Sequence, residues 1–174
     1  MIKYKTIPEN KTSHGHKWRK GKWYRINGKL ELCENGFHCS DNFIDAMGYV
    51  TPCFMAVVEV RGEHINDDDK SVHEEMKVLN WVEWTKKDSI SLAVFAADLV
   101  LENYELQYPD DKRPRNAIEA AKRVLKNNTT KNKSAAKSAA ESAESAAWSA
   151  AESAARSAII KKCHQFIIDR KFPK

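Results

Sequence analysis

The chain has 174 residues, with 29 Lys+Arg against 24 Asp+Glu and a formal net charge of +5. Hydrophobic residues make up 42% and charged residues 30%, the balance of a soluble globular protein. No run of about 18 apolar residues occurs and MIKYKTIPENK carries no apolar leader, so neither a transmembrane helix nor a secretory signal is expected. Cys33, Cys39, Cys53 and Cys163 are too few and too unevenly placed for a disulfide scaffold, so the expected address is a reducing cytoplasm.

In chain order, Gly21 to Ile26 reads as a strand, and Asn27-Gly28 as a two-residue hairpin turn that returns Lys29 to Cys33 as a second strand. Glu34-Asn35-Gly36 gives a further turn and Phe37-His38-Cys39 a short strand. Ser40-Asp41 is expected to cap a brief helix over residues 42–49, stopped by Pro52. Cys53 to Val60 is β-branched and nearly continuous, the pattern of a central strand. His64 to Asp69 reads as a polar loop and Glu75 to Trp84 as another strand.

At Ser89 the hydrophobic period changes from two to about 3.6. Ile90, Leu92, Ala93, Ala96, Ala97, Leu99 and Val100 share a helical face that runs to Gln107. The segment 108–114 is a turn, Pro114 suits the first position of the next helix, and Ala117 to Leu125 continues it. Residues 134–158 contain 12 alanines and seven serines, with serine recurring every three or four positions. Such a segment is strongly helical and keeps one narrow face small, suited to close packing in a bundle or to a solvated linker helix. Ile159, Ile160, Phe166, Ile167 and Ile168 restore an apolar face near the C-terminus. The expected fold is α+β: a small antiparallel β-rich domain, 1–87, followed by an antiparallel helical bundle, 88–174, with its Ala/Ser-rich helix at 133–160.

Charge is unevenly divided. Residues 1–30 hold nine basic residues and one acidic residue, Glu9, for a sum of +8; residues 31–90 hold five basic and 13 acidic residues, for −8. The arm can neutralise the body, or each can face a charged partner. Lys17, Trp18, Arg19, Lys20, Lys22, Trp23, Tyr24 and Arg25, with His14 and His16, interleave cations and rings. Single-stranded nucleic acid favours that combination, because bases stack on rings while cations hold phosphates. The opposing reading is a basic hairpin whose aromatic rings enter the core.

Other constellations are weaker. Cys33, His38, Cys39 and Cys53 lack a C-x2-C knuckle, and neighbours such as His38 and Cys39 point to opposite faces of a strand, so buried thiols are favoured over zinc. His38, His64 and His73 supply acid–base groups for a metal-independent ribonuclease without a spacing that assembles them. Asp67-Asp68-Asp69 with Glu74-Glu75 reads as a solvated turn, or as an acidic surface that mimics nucleic acid. Arg113 and Arg115 either clamp a phosphate at a helix N-terminus or pair with Asp98, Glu102, Asp110 or Asp111. No Gly-rich phosphate loop, G-x-S-x-G elbow or H-E-x-x-H motif is present, and no cofactor or metal is expected.

The block Leu32-Cys33-Glu34-Asn35-Gly36-Phe37-His38-Cys39, the Asp45 to Tyr49 element and the strand end Val58 to Glu63 resemble a small domain of bacteriophage and prophage proteins; the resemblance spans residues 1–85. Residues 91–165 are similar to a helical family of immunity proteins, through Ala93 to Ala97, the block Pro109 to Ala121 with its Arg113-Pro114-Arg115 core, the Ala-rich helix and His164. The two resemblances imply mobile-element biology in the cytoplasm of a bacterial host cell. The expected function is inhibition of a defence system by binding, as in an anti-CRISPR protein acting on a Cas nuclease or its guide RNA. Two further expectations stand beside it: a histidine-dependent ribonuclease, and an immunity module that forms a homodimer through the Ala-rich helix.

Overall fold

The structure is a computed structural model and describes residues 1–13, 15–49, 54–134 and 153–173. The expectations that rest on His14, Pro52, Cys53 and most of the 133–160 helix lie outside the described residues. The chain forms two compact units, one of Met1–Thr85 with Ile167–Lys174 and one of Lys86–Phe166. Helix and strand are mixed, and every ladder of the sheets is antiparallel.

The first unit is built on a long hairpin, β6 (Phe54–Asn66) and β7 (Ser71–Glu83). Here β1 is Ile2–Ile7, β2 Thr12–Ser13, β3 His16–Lys17, β4 Trp23–Arg25 and β5 Phe37–Cys39, with α1 at Phe43–Met47. β1 pairs with β6 along its whole length, while β4 and β5 pair with successive stretches of β7. Immediately after β5, Ser40 exchanges two backbone hydrogen bonds with Tyr4, each 2.9 Å. Residues 37–40 therefore link β7 to β1 and close the sheet into a small barrel-like loop of strands.

The continuous apolar run of β6 is central, as its β-branched composition implies. Met55, Ala56, Val58 and Val60 are buried, the last three in one cluster with Met76, Val78, Phe37, Ile7 and Trp18. His64 to Asn66 extends this strand instead of forming a loop, because β7 offers a partner as far as Ser71; the turn is confined to residues 67–70. Near that turn the two strands differ: β6 is exposed from Arg61 onward, whereas β7 starts with Ser71, Val72 and His73 all buried.

The Asn27-Gly28 hairpin does not form. β4 takes β7 as its partner, and residues 27–36 fold into a compact loop instead. Asn35 explains the choice: its side-chain amide donates to the carbonyls of Asn27 at 2.9 Å and Lys29 at 2.8 Å, satisfying backbone groups that a returning strand would have paired. Glu31 and Asn35 form a tight backbone bridge around Cys33, which adopts φ 65°. Gly36, at φ 145°, lets the chain pass Val72 and Leu30; a Cβ there would lie 2.1 Å from Val72 Cγ2. α1 is capped by Asn42, not by Ser40 or Asp41: its Oδ1 accepts from the Asp45 amide at 2.9 Å.

In the second unit, α2 (Lys86–Gln107) and α3 (Arg113–Lys126) form a helical hairpin around Val94, Leu101 and Ile118. The pairs Arg115–Glu105 and Lys122–Asp98 step in opposite directions along the two helices, which fixes an antiparallel arrangement. Pro114 sits in the first turn of α3, where its missing amide costs nothing. A last helix, α4 (Ser153–Lys171), contributes Phe166, stacked on Phe95 at 4.4 Å in this unit. The residues of α4 from Ile167 onward belong to the first unit, where Phe172, just beyond the helix, stacks on Phe43. No helix among the described residues is long and apolar enough to cross a membrane.

Candidate functional site

The basic arm separates its cations from its rings. Trp18 is 2% exposed and Tyr24 8% exposed, both in the core beside Phe37. The Trp18 indole donates to Ser13 Oγ at 2.7 Å and the Tyr24 hydroxyl to the Lys17 carbonyl at 2.7 Å, so their polar ends are satisfied inside the fold. Trp23 is half-buried, with the Arg61 guanidinium 3.9 Å and the Lys77 ammonium 4.7 Å from its ring centre. The rings are thus occupied by the protein itself. Lys17, Arg19, Lys20, Lys22 and Arg25 all remain exposed.

Some of that charge is answered by the acidic segment. Arg25 pairs with Glu74 and lies near Glu75, and Lys20 donates to Asn80 Oδ1 at 2.6 Å. Within the hairpin, Arg61 pairs with Glu75 and Lys77 with Glu59. Lys17, Arg19 and Lys22 lie outside these ion pairs. The surface that results presents exposed cations without the stacking platform that the interleaved sequence suggests.

The three candidate histidines do not share one site. His73 is 1% exposed, and its Nε2 lies 2.9 Å from Ser71 Oγ, which in turn lies 3.7 Å from Cys39 Sγ. This string is enclosed by the barrel and out of reach of a macromolecular substrate. His64, across the hairpin, stacks on His73 with ring centres 5.3 Å apart. Burial, then the neighbouring His64, holds the His73 pKa down at about 4.

His38 stands elsewhere, on the wall of a cavity of about 260 Å³ at the seam where β5 meets β1. Its Nε2 accepts from the Cys33 amide at 2.9 Å, and its ring also hydrogen-bonds the Gly36 carbonyl. Both nitrogens therefore hold the 33–36 loop in place. Burial, then Lys5 and Lys70, lowers its pKa and keeps it neutral at pH 7. In this structure His38 is a positioning residue.

Two lysines reach the same cavity. Lys5 is 8% exposed, and its ammonium donates to the His38 carbonyl at 2.8 Å. Desolvation lowers its pKa to about 8. The Lys70 side chain is 15% exposed; its ammonium hydrogen-bonds the Cys33 thiol, lies 4.7 Å from the Tyr49 ring centre and 3.8 Å from Asp67. Cys39, also on the wall, is driven up in pKa by burial and stays a thiol. Lys5 and Lys70 carry no motif; the alternation of Ile2-Lys3-Tyr4-Lys5-Thr6-Ile7 was the signal that could have shown Lys5 in a strand, and Lys70, in the 67–70 turn, had none.

Among the described residues no group of three His, Cys, Asp or Glu side chains could hold a metal ion; Cys53 lies outside them. Arg113 and Arg115 are engaged in ion pairs. Arg113 grips Asp111, whose carboxylate also accepts from the Arg113 amide at 3.0 Å and the Tyr104 hydroxyl at 2.8 Å. Arg115 pairs with Glu105, a partner outside the four acidic residues that the sequence suggested. Asp98 is taken by Lys122.

Residues 1–88 match a family model described as a domain of unknown function (DUF7666), and residues 83–167 match one described as an Imm-5 like putative immunity protein. The second match fits an immunity module. Neither a curated protein nor a solved structure matches the chain.

Proposed function

Because the chain belongs to the DUF7666 family through residues 1–88 and continues into an Imm-5-like half, we propose that it is a phage or prophage accessory protein that neutralises a bacterial defence system by binding. In the specific form of this reading it is an anti-CRISPR protein whose basic face docks on the guide RNA of a Cas nuclease. The observation that carries it is the exposed set Lys17, Arg19, Lys20 and Lys22 above rings already buried or occupied. A face of that kind meets phosphates by charge and releases counterions, so binding weakens steeply as salt rises.

The ribonuclease alternative is not favoured by the geometry. His73 is enclosed, His38 is committed to the 33–36 loop, and the two lie at different places in the barrel. The decisive experiment uses the full chain with Lys17, Arg19, Lys20 and Lys22 all replaced by Ala. Target cleavage is measured in the presence of wild-type or variant protein, together with gel mobility of the guide RNA. The reading requires that inhibition and the shifted RNA band disappear together. Full inhibition by the variant overturns it, and shortened RNA product with the wild-type chain replaces it by catalysis.

A further inference from the structure

We propose that the seam cavity between β1 and β5 is a binding site for a small organic anion, one carboxylate or phosphate group carried on a flat apolar body. The site is independent of the basic arm and of the immunity reading.

Burying the Lys5 ammonium is costly. An ammonium removed from water needs several compensating interactions, and among the described residues this one has a single acceptor, the His38 carbonyl. Two of its N–H directions are left without a described acceptor. The second ammonium, Lys70, faces the same space, and the neutral His38 ring between them senses both charges.

The wall meets these charges only with neutral groups: the His38 carbonyl at Lys5, and the Cys33 thiol and Tyr49 ring at Lys70. Among the described residues its wall contains no carboxylate, and Cys39 remains a neutral thiol. The nearest acid, Asp67, touches Lys70 and is not part of the wall. Asp69 is engaged with the Tyr49 hydroxyl. The cavity thus presents two mostly covered cations and an acceptor-poor interior, the complement of one anionic group.

The rest of the wall sets the body of the ligand. Tyr4 and Tyr49 supply rings and Ala46 a methyl group, while Thr6 spends its hydroxyl on the Ala46 carbonyl at 3.0 Å. A volume of about 260 Å³ lies near the lower end for ligand sites, which suits a single-ring compound. Orientation follows: the anion lies toward Lys5 and Lys70, and the ring toward Tyr4 and Tyr49.

The test uses the full chain with four probes: phenyl phosphate, benzoate, inorganic phosphate and benzyl alcohol. Calorimetry measures affinity, and backbone amide NMR shifts report the location. Binding of phenyl phosphate or benzoate at least tenfold tighter than inorganic phosphate or benzyl alcohol is expected. Shifts should centre on Tyr4–Thr6, His38–Ser40 and Lys70, and the stronger of the two aromatic probes tells phosphate from carboxylate.

Lys5→Met should weaken that probe tenfold or more while raising the melting temperature, since it removes a buried charge and keeps the volume. Lys70→Met should weaken it severalfold, and Arg113→Ala should leave it unchanged. Failure of both aromatic probes to saturate at millimolar concentration overturns the site. Undiminished affinity in a folded Lys5→Met protein overturns it equally, as do shifts confined to residues 17–25. The alanine variant of the arm, which the proposed function predicts to be inactive, should bind the probe normally, so the two proposals fail separately.

Discussion

The backbone amide of Cys33 donates to Nε2 of His38 at 2.9 Å, across a loop in which Cys33 holds a left-handed conformation. The bond requires an unprotonated nitrogen at that position, and burial, then Lys5 and Lys70, lowers the ring's pKa and favours that form. The histidine that looks most catalytic in the sequence is thus spent on shaping a loop.

Replacing His38 by Ala should therefore loosen residues 31–36 more than it lowers global stability. Loss of a net hydrogen bond of this type costs about 1 kcal/mol in urea unfolding. In hydrogen exchange the Cys33 amide should lose protection, while the amides of β6 and β7 keep theirs. Equal loss of protection across the whole sheet would contradict a local role.

His73 makes stability depend on pH. Its ordinary value of 6.5 falls to about 4 in the fold, so the unfolded chain takes up a proton that the folded chain refuses. Its stabilising contribution is complete above pH 6.5 and is lost progressively as pH falls to 4, by up to about 3 kcal/mol. His64, Lys3 and the N-terminal amine oppose the charge, and Asp41 favours it. His73→Gln, which keeps a partner for Ser71, should flatten the difference in urea midpoint between pH 7 and pH 4.5 relative to wild type.

Gly36 tolerates no side chain. Both its positive φ and a Cβ placed 2.1 Å from Val72 act against Ala, since Val72 is fully buried and cannot move aside. Gly36→Ala should cost more than about 2 kcal/mol, read from denaturant midpoints. Val72→Ala in the same chain should recover part of that loss, because it removes the colliding methyl groups.

The arm contains two kinds of residue, and mutation should separate them. Trp18→Ala removes a core ring and should destabilise by about 3–5 kcal/mol, abolishing binding by unfolding. Lys17→Ala and Arg19→Ala remove exposed charges and should leave the melting temperature within error, while shifting the salt dependence of RNA binding. Circular dichroism melts beside filter-binding titrations distinguish the two behaviours.

These contrasts show how far the sequence could be read. The apolar run at Cys53 to Val60 announced a central strand, and Phe37 to Cys39 a short one; β6, described from Phe54, and β5 are both present. The change of period near Ser89 found α2, although the helix starts at Lys86, with Asp88 buried in its first turn. β1 was missed because Lys3 and Lys5 read as a solvated arm. They are buried only because Asp41 reaches Lys3 and the His38 carbonyl reaches Lys5, contacts at separations of 38 and 33 residues that no local pattern encodes. The Asn27-Gly28 turn failed for a similar reason, since competition from Asn35 and β7 outweighed a strong local signal. The seam cavity is a product of sheet closure, so its cations could not be grouped before the strands were placed.

That closure also governs access. The paired bonds between Tyr4 and Ser40 stand beside the cavity like a latch on its rim, and a body wider than the opening enters only when they part. Opening of that rim, visible as coupled hydrogen exchange at Tyr4 and Ser40, sets an upper limit on how fast such a body can come and go.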